Sequence, residues 1–448
     1  MPSRRHFLAA SASTLMTLGV PALGQDGTAR MRQVTAITQV FGDGIRLTAV
    51  AVEYTADIDG TALQGAAFEV AGRRITQAYA STAADPAQRA RAGRFVILAL
   101  SPDDADAILA EHVQPQRGAE PQAAGADAGG PGQLGGPPVG GSDTVYRSAS
   151  VQVAQVAPIL AGDGSTILPD GKILTSSAVV NLVVDDFRQL EFHDPATGDT
   201  LRYNLFIPRD HEAGKAFPLV LFMHDAGATS EITRTTLLQG RGAVVWASPE
   251  EQAKRPCFVL APQYAALVAN DNSETTSMLD TTVHLVQALA RQYGLDTRRL
   301  YATGQSGGCM LAIAMNIRYP ELFAASYLVA GQWDPALVKP LARKKLWILV
   351  AQDDAKAYPG QNAITAVLEQ AGARVGRAVW DGTWTQTQFR AAYERLHADA
   401  NQINYVALRK GTVIPAGQSA AGASGHRNTW RIAYDIAPIR EWLFKQRA

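Results

Sequence analysis

The chain has 448 residues, 47% hydrophobic and 18% charged. At ~100–200 residues per domain this predicts two or three domains, each able to bury a core, and excludes a wholly disordered chain. Lys+Arg and Asp+Glu both number 41, so the net charge is zero, which argues against a nucleic-acid binder held by bulk phosphate attraction. Two cysteines exclude a disulfide scaffold and a zinc site of four cysteines.

The chain opens Met1-Pro2-Ser3-Arg4-Arg5-His6-Phe7-Leu8, and an apolar stretch runs from Phe7 to Val20. That stretch is too short to span a hydrocarbon core of ~30 Å as a helix. Ala22 and Gly24 put small residues at the −3 and −1 positions of a cleavage site. A cationic head, an apolar middle and a small-residue exit are the layout of a secretory signal over residues 1–24. Ser-Arg-Arg-x-Phe-Leu also resembles the twin-arginine signal, which implies a periplasmic or secreted protein. No later segment has 18 consecutive apolar residues, so no stable membrane insertion is expected. In an oxidising compartment Cys257 and Cys309 could pair, but they are expected at opposite edges of a sheet, as two buried free thiols.

Residues ~30–112 read as short β segments, with Ile45–Tyr54 alternating in part and Phe95–Leu100 a compact apolar run. Residues 115–142 hold 14 Gly or Pro, a composition that cannot bury enough apolar surface to order itself. Strand-like sequence resumes from Val151 to Val184. One β-sandwich over 30–188, interrupted by this insertion, is the simplest account; two small β units are the alternative.

From Gln189 the pattern changes. A hairpin signal at Ala196-Thr197-Gly198-Asp199 is followed by strand candidates Leu219–His224, Phe258–Ala261, Leu300–Thr303, Ala325–Ala330, Leu346–Ala351 and Ile403–Leu408. Helix candidates fall at 280–293, 307–318, 360–371, 385–399 and 428–446. Such alternation over residues 189–448 predicts one doubly wound, mostly parallel α/β domain.

Within it, Leu300–Thr303 runs into Gly304-Gln305-Ser306-Gly307-Gly308 and then a helix. This strand–turn–helix context lifts Gly-x-Ser-x-Gly above a glycine-rich turn. The turn projects Ser306 above the sheet, and the Gly307 N–H sits at a helix N-terminus, where an anion is favoured. A serine hydroxyl needs an adjacent base. In this fold the order is serine, acid, histidine. Of eight histidines only His397 and His426 follow Ser306. His397 falls in a helix candidate; His426 follows the small-residue loop Gly417–Gly425, which can carry an imidazole over the sheet edge. The acid should stand at the carboxyl end of a strand. Gln352-Asp353-Asp354 ends one candidate strand and Asp334 follows another. Spacing does not separate Asp353 from Asp354. After the strand from Leu219, the loop His224-Asp225-Ala226-Gly227 is placed to add a second N–H, from Asp225 or Ala226, beside that of Gly307.

At these motifs the chain resembles a known family: bacterial α/β-hydrolase esterases with an N-terminal immunoglobulin-like domain, kin to the polyhydroxybutyrate-depolymerase and feruloyl-esterase group. The likeness rests on Tyr203–Pro208, Leu221–Gly227, Val259–Tyr264, Gly304–Gly308, Asp354-Ala355-Lys356-Ala357-Tyr358-Pro359-Gly360 and His426-Arg427-Asn428-Thr429-Trp430. The family has Gly-Asp before Lys-Ala-Tyr-Pro, and here Asp353 replaces that Gly, so the resemblance implies Asp354 as the acid and a Ser306–His426–Asp354 triad. It also implies an immunoglobulin-like first domain and carboxylic-ester hydrolysis. Asp225 departs from the glycine usual after this strand. No cofactor or metal is implied. Trp333, Trp384 and Trp430 are candidates for an acyl or alcohol pocket, with core packing the alternative. A prolyl-oligopeptidase-type peptidase and a non-catalytic binding protein on the same fold are the competing functions. The ester is not legible: a small acyl ester, a polyester oligomer and a feruloylated polysaccharide all fit. The N-terminal domain, without evident chemistry, is a candidate for covering the site, for self-association or for binding a polymer.

Overall fold

The computed structural model describes residues 30–112, 134, 144–211, 214–398 and 401–448. The expected export signal and nearly all of the 115–142 insertion lie outside these residues.

The N-terminal region builds two facing sheets. One runs Ala178–Asn181, Met31–Phe41, Gly44–Asp59, Ala92–Leu100, Ile75–Ser81; the other runs Ile173–Thr175, Gln152–Gln155, Phe68–Val70. Strand periodicity sorts the side chains. Val50, Val52 and Tyr54 join Phe68, Val70 and Val153 in the large apolar cluster between the sheets. The intervening Ala49 and Ala51 pack on the outer face with Ile37, Tyr79 and Ile97. That is the alternation of a two-sided strand. Between the sheets, the Tyr54 hydroxyl donates to Gln155 Oε1 at 2.9 Å. Strands from both sides of 113–143 pair with one another, Met31–Phe41 with Ala178–Asn181 and Phe68–Val70 with Gln152–Gln155, so the two β-rich stretches form one sandwich.

The second region is a nine-stranded sheet. Its order is Arg188–His193, Thr200–Phe206, Phe258–Gln263, Leu219–Met223, Leu300–Gln305, Ala325–Val329, Leu346–Ala351, Ile403–Leu408, Val375–Trp380. Thr200–Phe206 alone is antiparallel to its neighbours; the remaining pairs are parallel. Helices cover both faces, so a central strand is buried at every position. In Leu346–Ala351, Trp347, Leu349 and Ala351 enter one core cluster, and Leu346, Ile348 and Val350 the other. Apolar runs without polar alternation are what parallel strands covered on both faces require.

Several expectations need correction. The strand Val375–Trp380 escaped because, at the sheet edge, half its residues are polar or small. Three short helices, Thr235–Leu238, Arg241–Ala247 and Pro249–Lys254, fill the stretch after the 224–228 loop. The single helix expected over 428–446 is two, Ser424–Ala433 and Ala437–Lys445. Pro438 in the first turn of the second explains the break, since a proline lacks the N–H that would continue the first helix. His426 therefore lies inside a helix's first turn, not in a loop ahead of it. No helix among the described residues is long and apolar enough to cross a membrane.

Candidate active site

The strand Leu300–Gln305 ends at Ser306, and the helix Gly307–Arg318 starts one residue later. Between them Ser306 takes φ 51° and ψ −118°, a strained conformation for a residue with a side chain, and it lifts Oγ off the sheet. The flanking glycines are required sterically. A Cβ on Gly308 would lie 2.0 Å from Met223 O, and one on Gly304 would lie 2.5 Å from Gly308 C.

Asp354 follows the strand Leu346–Ala351 and is 3% exposed. Its Oδ1 accepts the N–H of Lys356 at 3.1 Å and of Ala357 at 2.8 Å, the first donors of the helix Ala357–Gln370. Its Oδ2 accepts from His426 Nδ1 at 2.5 Å. Burial pushes the Asp354 carboxyl up, but the His426 contact and the two N–H donors outweigh it and hold it below the ordinary carboxylate range. Because a carboxylate can only accept, Nδ1 carries the proton and Nε2 is left as an acceptor. Ser306 Oγ stands 2.8 Å from that nitrogen. Asp354, His426 and Ser306 therefore form one hydrogen-bonded line. Trp430, one turn along the helix, sets its ring 4.9 Å from the His426 ring at 86°.

In the loop after Leu219–Met223, His224 is buried. It accepts the Tyr264 N–H at Nε2 (2.9 Å), so its Nδ1–H donates to Asp225 O (2.7 Å). Burial holds its pKa below the ordinary imidazole value. This neutral ring braces the loop against the strand Phe258–Gln263. The Asp225 carboxylate is also occupied: Oδ1 accepts the Gly227 N–H at 2.9 Å and Oδ2 accepts from Gln305 Nε2 at 2.9 Å. The Gln305 contribution was not legible in sequence, since the second position of Gly-x-Ser-x-Gly carries no fixed chemistry. The Ala226 N lies beside the Ser306 turn, 3.4 Å from where a Cβ on Gly307 would sit.

One recess reaches the Ser306 turn and a second lies beside Met310, on the helix that follows it. The first, about 20 Å³, is lined by Ala226, Tyr264, Leu267, Val268, Gly307 and Leu311 among others. The second, about 350 Å³, is lined by Asp271, Ser273, Met310, Gln332, Trp333 and Asp334 among others. Of the three tryptophans singled out from sequence, Trp333 lines the larger recess and Trp430 packs on His426. Trp384 sits edge-on to Phe389 after the edge strand. Asp353 does not touch the imidazole, and Asp334 caps the turn at Ala336. His397 stacks on Tyr393. Cys257 and Cys309 are both free and buried. No group of three His, Cys, Asp or Glu side chains among the described residues is placed to hold a metal ion.

Residues 33–168 match the family model described as the esterase Ig-like N-terminal domain. Residues 201–336 match the esterase PHB depolymerase family. A solved structure titled as a thermostable esterase superposes with a TM-score of 0.74 at 26% identity, covering 93% of this chain and 100% of that one. Acetylxylan esterase A of Talaromyces purpureogenus is 28% identical over 145 residues, 31% of this chain and 35% of that protein. Acetylxylan esterase A of Aspergillus ficuum is 30% identical over 105 residues, 23% of this chain and 33% of that protein. The chain thus spans about a third of the length of these curated relatives. Two family matches in this order, with a likeness that runs through both regions, make the chain similar to esterases in which an Ig-like domain precedes a PHB-depolymerase-type α/β-hydrolase domain.

Proposed function

We propose that the protein is a serine carboxylic-ester hydrolase working through an acyl-enzyme intermediate, with Ser306 as nucleophile, His426 as base and Asp354 as its orienting acid. The observation that carries this is the hydrogen-bonded line Asp354–His426–Ser306 at 2.5 and 2.8 Å, set beside the N–H groups of Gly307 and Ala226. As Oγ attacks the ester carbonyl carbon, its proton passes to Nε2. The ring becomes cationic and Asp354, already ionised, stabilises it. The carbonyl oxygen becomes an oxyanion facing the Gly307 and Ala226 amides; removing one such donor costs about 2.7–4 kcal/mol in comparable sites. Collapse expels the alcohol, which takes the proton from Nε2. Water then repeats the sequence on the acyl-enzyme, His426 accepting its proton, and the acid leaves. None of these steps calls on a metal or an organic cofactor.

Ser306→Ala should abolish turnover of a short-chain aryl ester, and a fluorophosphonate probe should label Ser306 alone. A cleanly purified Ser306→Ala protein that kept most of its activity would overturn the assignment. A panel of esters varied in acyl length, aromaticity and alcohol size, with a prolyl amide as the contrasting substrate, identifies the substrate class.

We further infer export: residues 1–24 as a twin-arginine-type signal, an Ig-like domain over 30–188 and a hydrolase domain over 189–448, acting in the periplasm or outside the cell. An exported protein beginning at Gln25 is the expected result of N-terminal sequencing. Removing residues 25–188 and measuring size and activity tests whether the first domain covers the site or mediates self-association.

A further inference from the structure

The turn after Leu346–Ala351 presents three consecutive polar side chains, Gln352, Asp353 and Asp354. Only Asp354 faces the imidazole. The other two point at a different partner, the turn that ends the neighbouring strand Ile403–Leu408. Gln352 Oε1 accepts the Lys410 N–H at 3.0 Å, and Asp353 Oδ2 accepts the Gly411 N–H at 2.7 Å. From that turn the chain crosses to the helix Ser424–Ala433, and residues 415–423 of the crossing are all exposed. Val413, near the start of the connection, is buried and its carbonyl accepts from Arg431, but the small residues after it bury no apolar surface that could fix their course. Yet a catalytic side chain must be held to within about 0.5 Å of its working position.

Asp353 meets the far end of the same crossing. Gly425, the residue before His426, packs so closely on it that a Cβ there would lie 2.4 Å from Asp353 O and 2.5 Å from Asp353 Cβ. One residue thus holds the start of the connection through its carboxylate and seats the end through its main chain and Cβ.

We propose that Asp353 is a positioning residue for His426, pinning both ends of the 411–425 connection to the turn that carries Asp354. The proposal rests on the Ser306–His426–Asp354 reading. On it, the acid turn holds the imidazole twice, through the ring by Asp354 and through the chain by Asp353. The carboxylate is needed as an acceptor for one N–H, not as a charge, so an amide oxygen serves in its place.

The test compares Asp353→Ala with Asp353→Asn on one aryl ester. Asp353→Ala should lower kcat about 10- to 100-fold, the scale of a misplaced catalytic group, with KM unchanged; Asp353→Asn should restore kcat close to that of the unaltered protein. The rate of Ser306 labelling by a fluorophosphonate should follow kcat in both. In the unaltered protein the Gly411 amide should exchange with solvent more slowly than the Gly417 amide, a reading that stands even where Asp353→Ala does not fold. Full activity in Asp353→Ala, equal loss in both variants, or free exchange at Gly411 would each overturn the proposal. An active Ser306→Ala protein would instead remove the triad reading beneath it, so the two failures are distinguishable.

Discussion

Gly42 lies against the main-chain carbonyl of Arg431: a methyl group on Gly42 would stand 2.2 Å from that oxygen. Gly42 is in the turn between the first two strands of the N-terminal sandwich, and Arg431 is in the helix that carries His426. Gly240, which opens the helix Arg241–Ala247, rests on the same turn, with its Cβ position 3.1 Å from Gly42 O. The sandwich therefore abuts the element that holds the imidazole. Gly42→Ala is expected to push the hairpin away, costing about 1–3 kcal/mol as overpacking does. It should lower kcat/KM more than a surface substitution of equal instability. Thermal unfolding and steady-state kinetics on the pair check this; equal kinetic effects would rule it out.

The two glycines after Ser306 should separate stability from activity. Gly308→Ala drives a Cβ into the main-chain oxygen of Met223, which cannot move aside as a flexible side chain could, and is expected to destabilise the fold by at least about 1–3 kcal/mol. A Cβ on Gly307 would make only ordinary contacts, its nearest atom being Ala226 N at 3.4 Å, so Gly307→Ala should fold normally. Its methyl group intrudes between the two amides, and activity should fall roughly 10²-fold, as for loss of one donor. Unfolding curves set beside kcat values distinguish the two.

Acid should unfold the protein partly through two buried carboxylates. Asp354 is one. The other is Glu251, whose Oε1 accepts from Arg440 at 3.0 and 2.7 Å and whose Oε2 accepts from Arg255 Nε at 3.0 Å. Burial pushes Glu251 up, and its two arginines more than reverse this, leaving it below the ordinary value. Carboxyls held low in the folded chain bind fewer protons than in the unfolded one. Their stabilisation is complete above the ordinary values near pH ~4 and is lost as pH falls through the folded ones. Glu251→Gln should therefore cost about 3–5 kcal/mol at neutral pH, since it strands buried arginine charge, and flatten the acid limb. Denaturant titrations between pH ~3 and ~7 measure both effects.

The two thiols should be inert while the chain is folded. Burial pushes both Cys257 and Cys309 up to about 12, and the reactive species is the thiolate. An aromatic disulfide reagent at pH ~8 should find no thiol in the native protein and two after denaturation. Rapid native modification would contradict the burial of both.

Local pattern marked all but the edge strand among the parallel strands of the second region, the strand–turn–helix around Ser306, and His426 as a candidate base. A parallel strand covered on both faces must be a continuous apolar run, so Leu346–Ala351 and Ile403–Leu408 were legible to the residue. The elbow's steric demand for glycine on both sides marked Ser306. What sequence spacing could not decide was which member of Asp353-Asp354 faces the imidazole. Adjacent residues at a turn project in different directions, and the direction is set by the partners each finds: helix N–H groups and an imidazole for Asp354, the Gly411 amide for Asp353. The placement of His426 inside a helix, the service of Gln305 to Asp225 and the contact of Gly42 with Arg431 were likewise decided only by tertiary structure. Each joins residues more than 60 positions apart or depends on a neighbour's backbone, and no local periodicity records such a meeting.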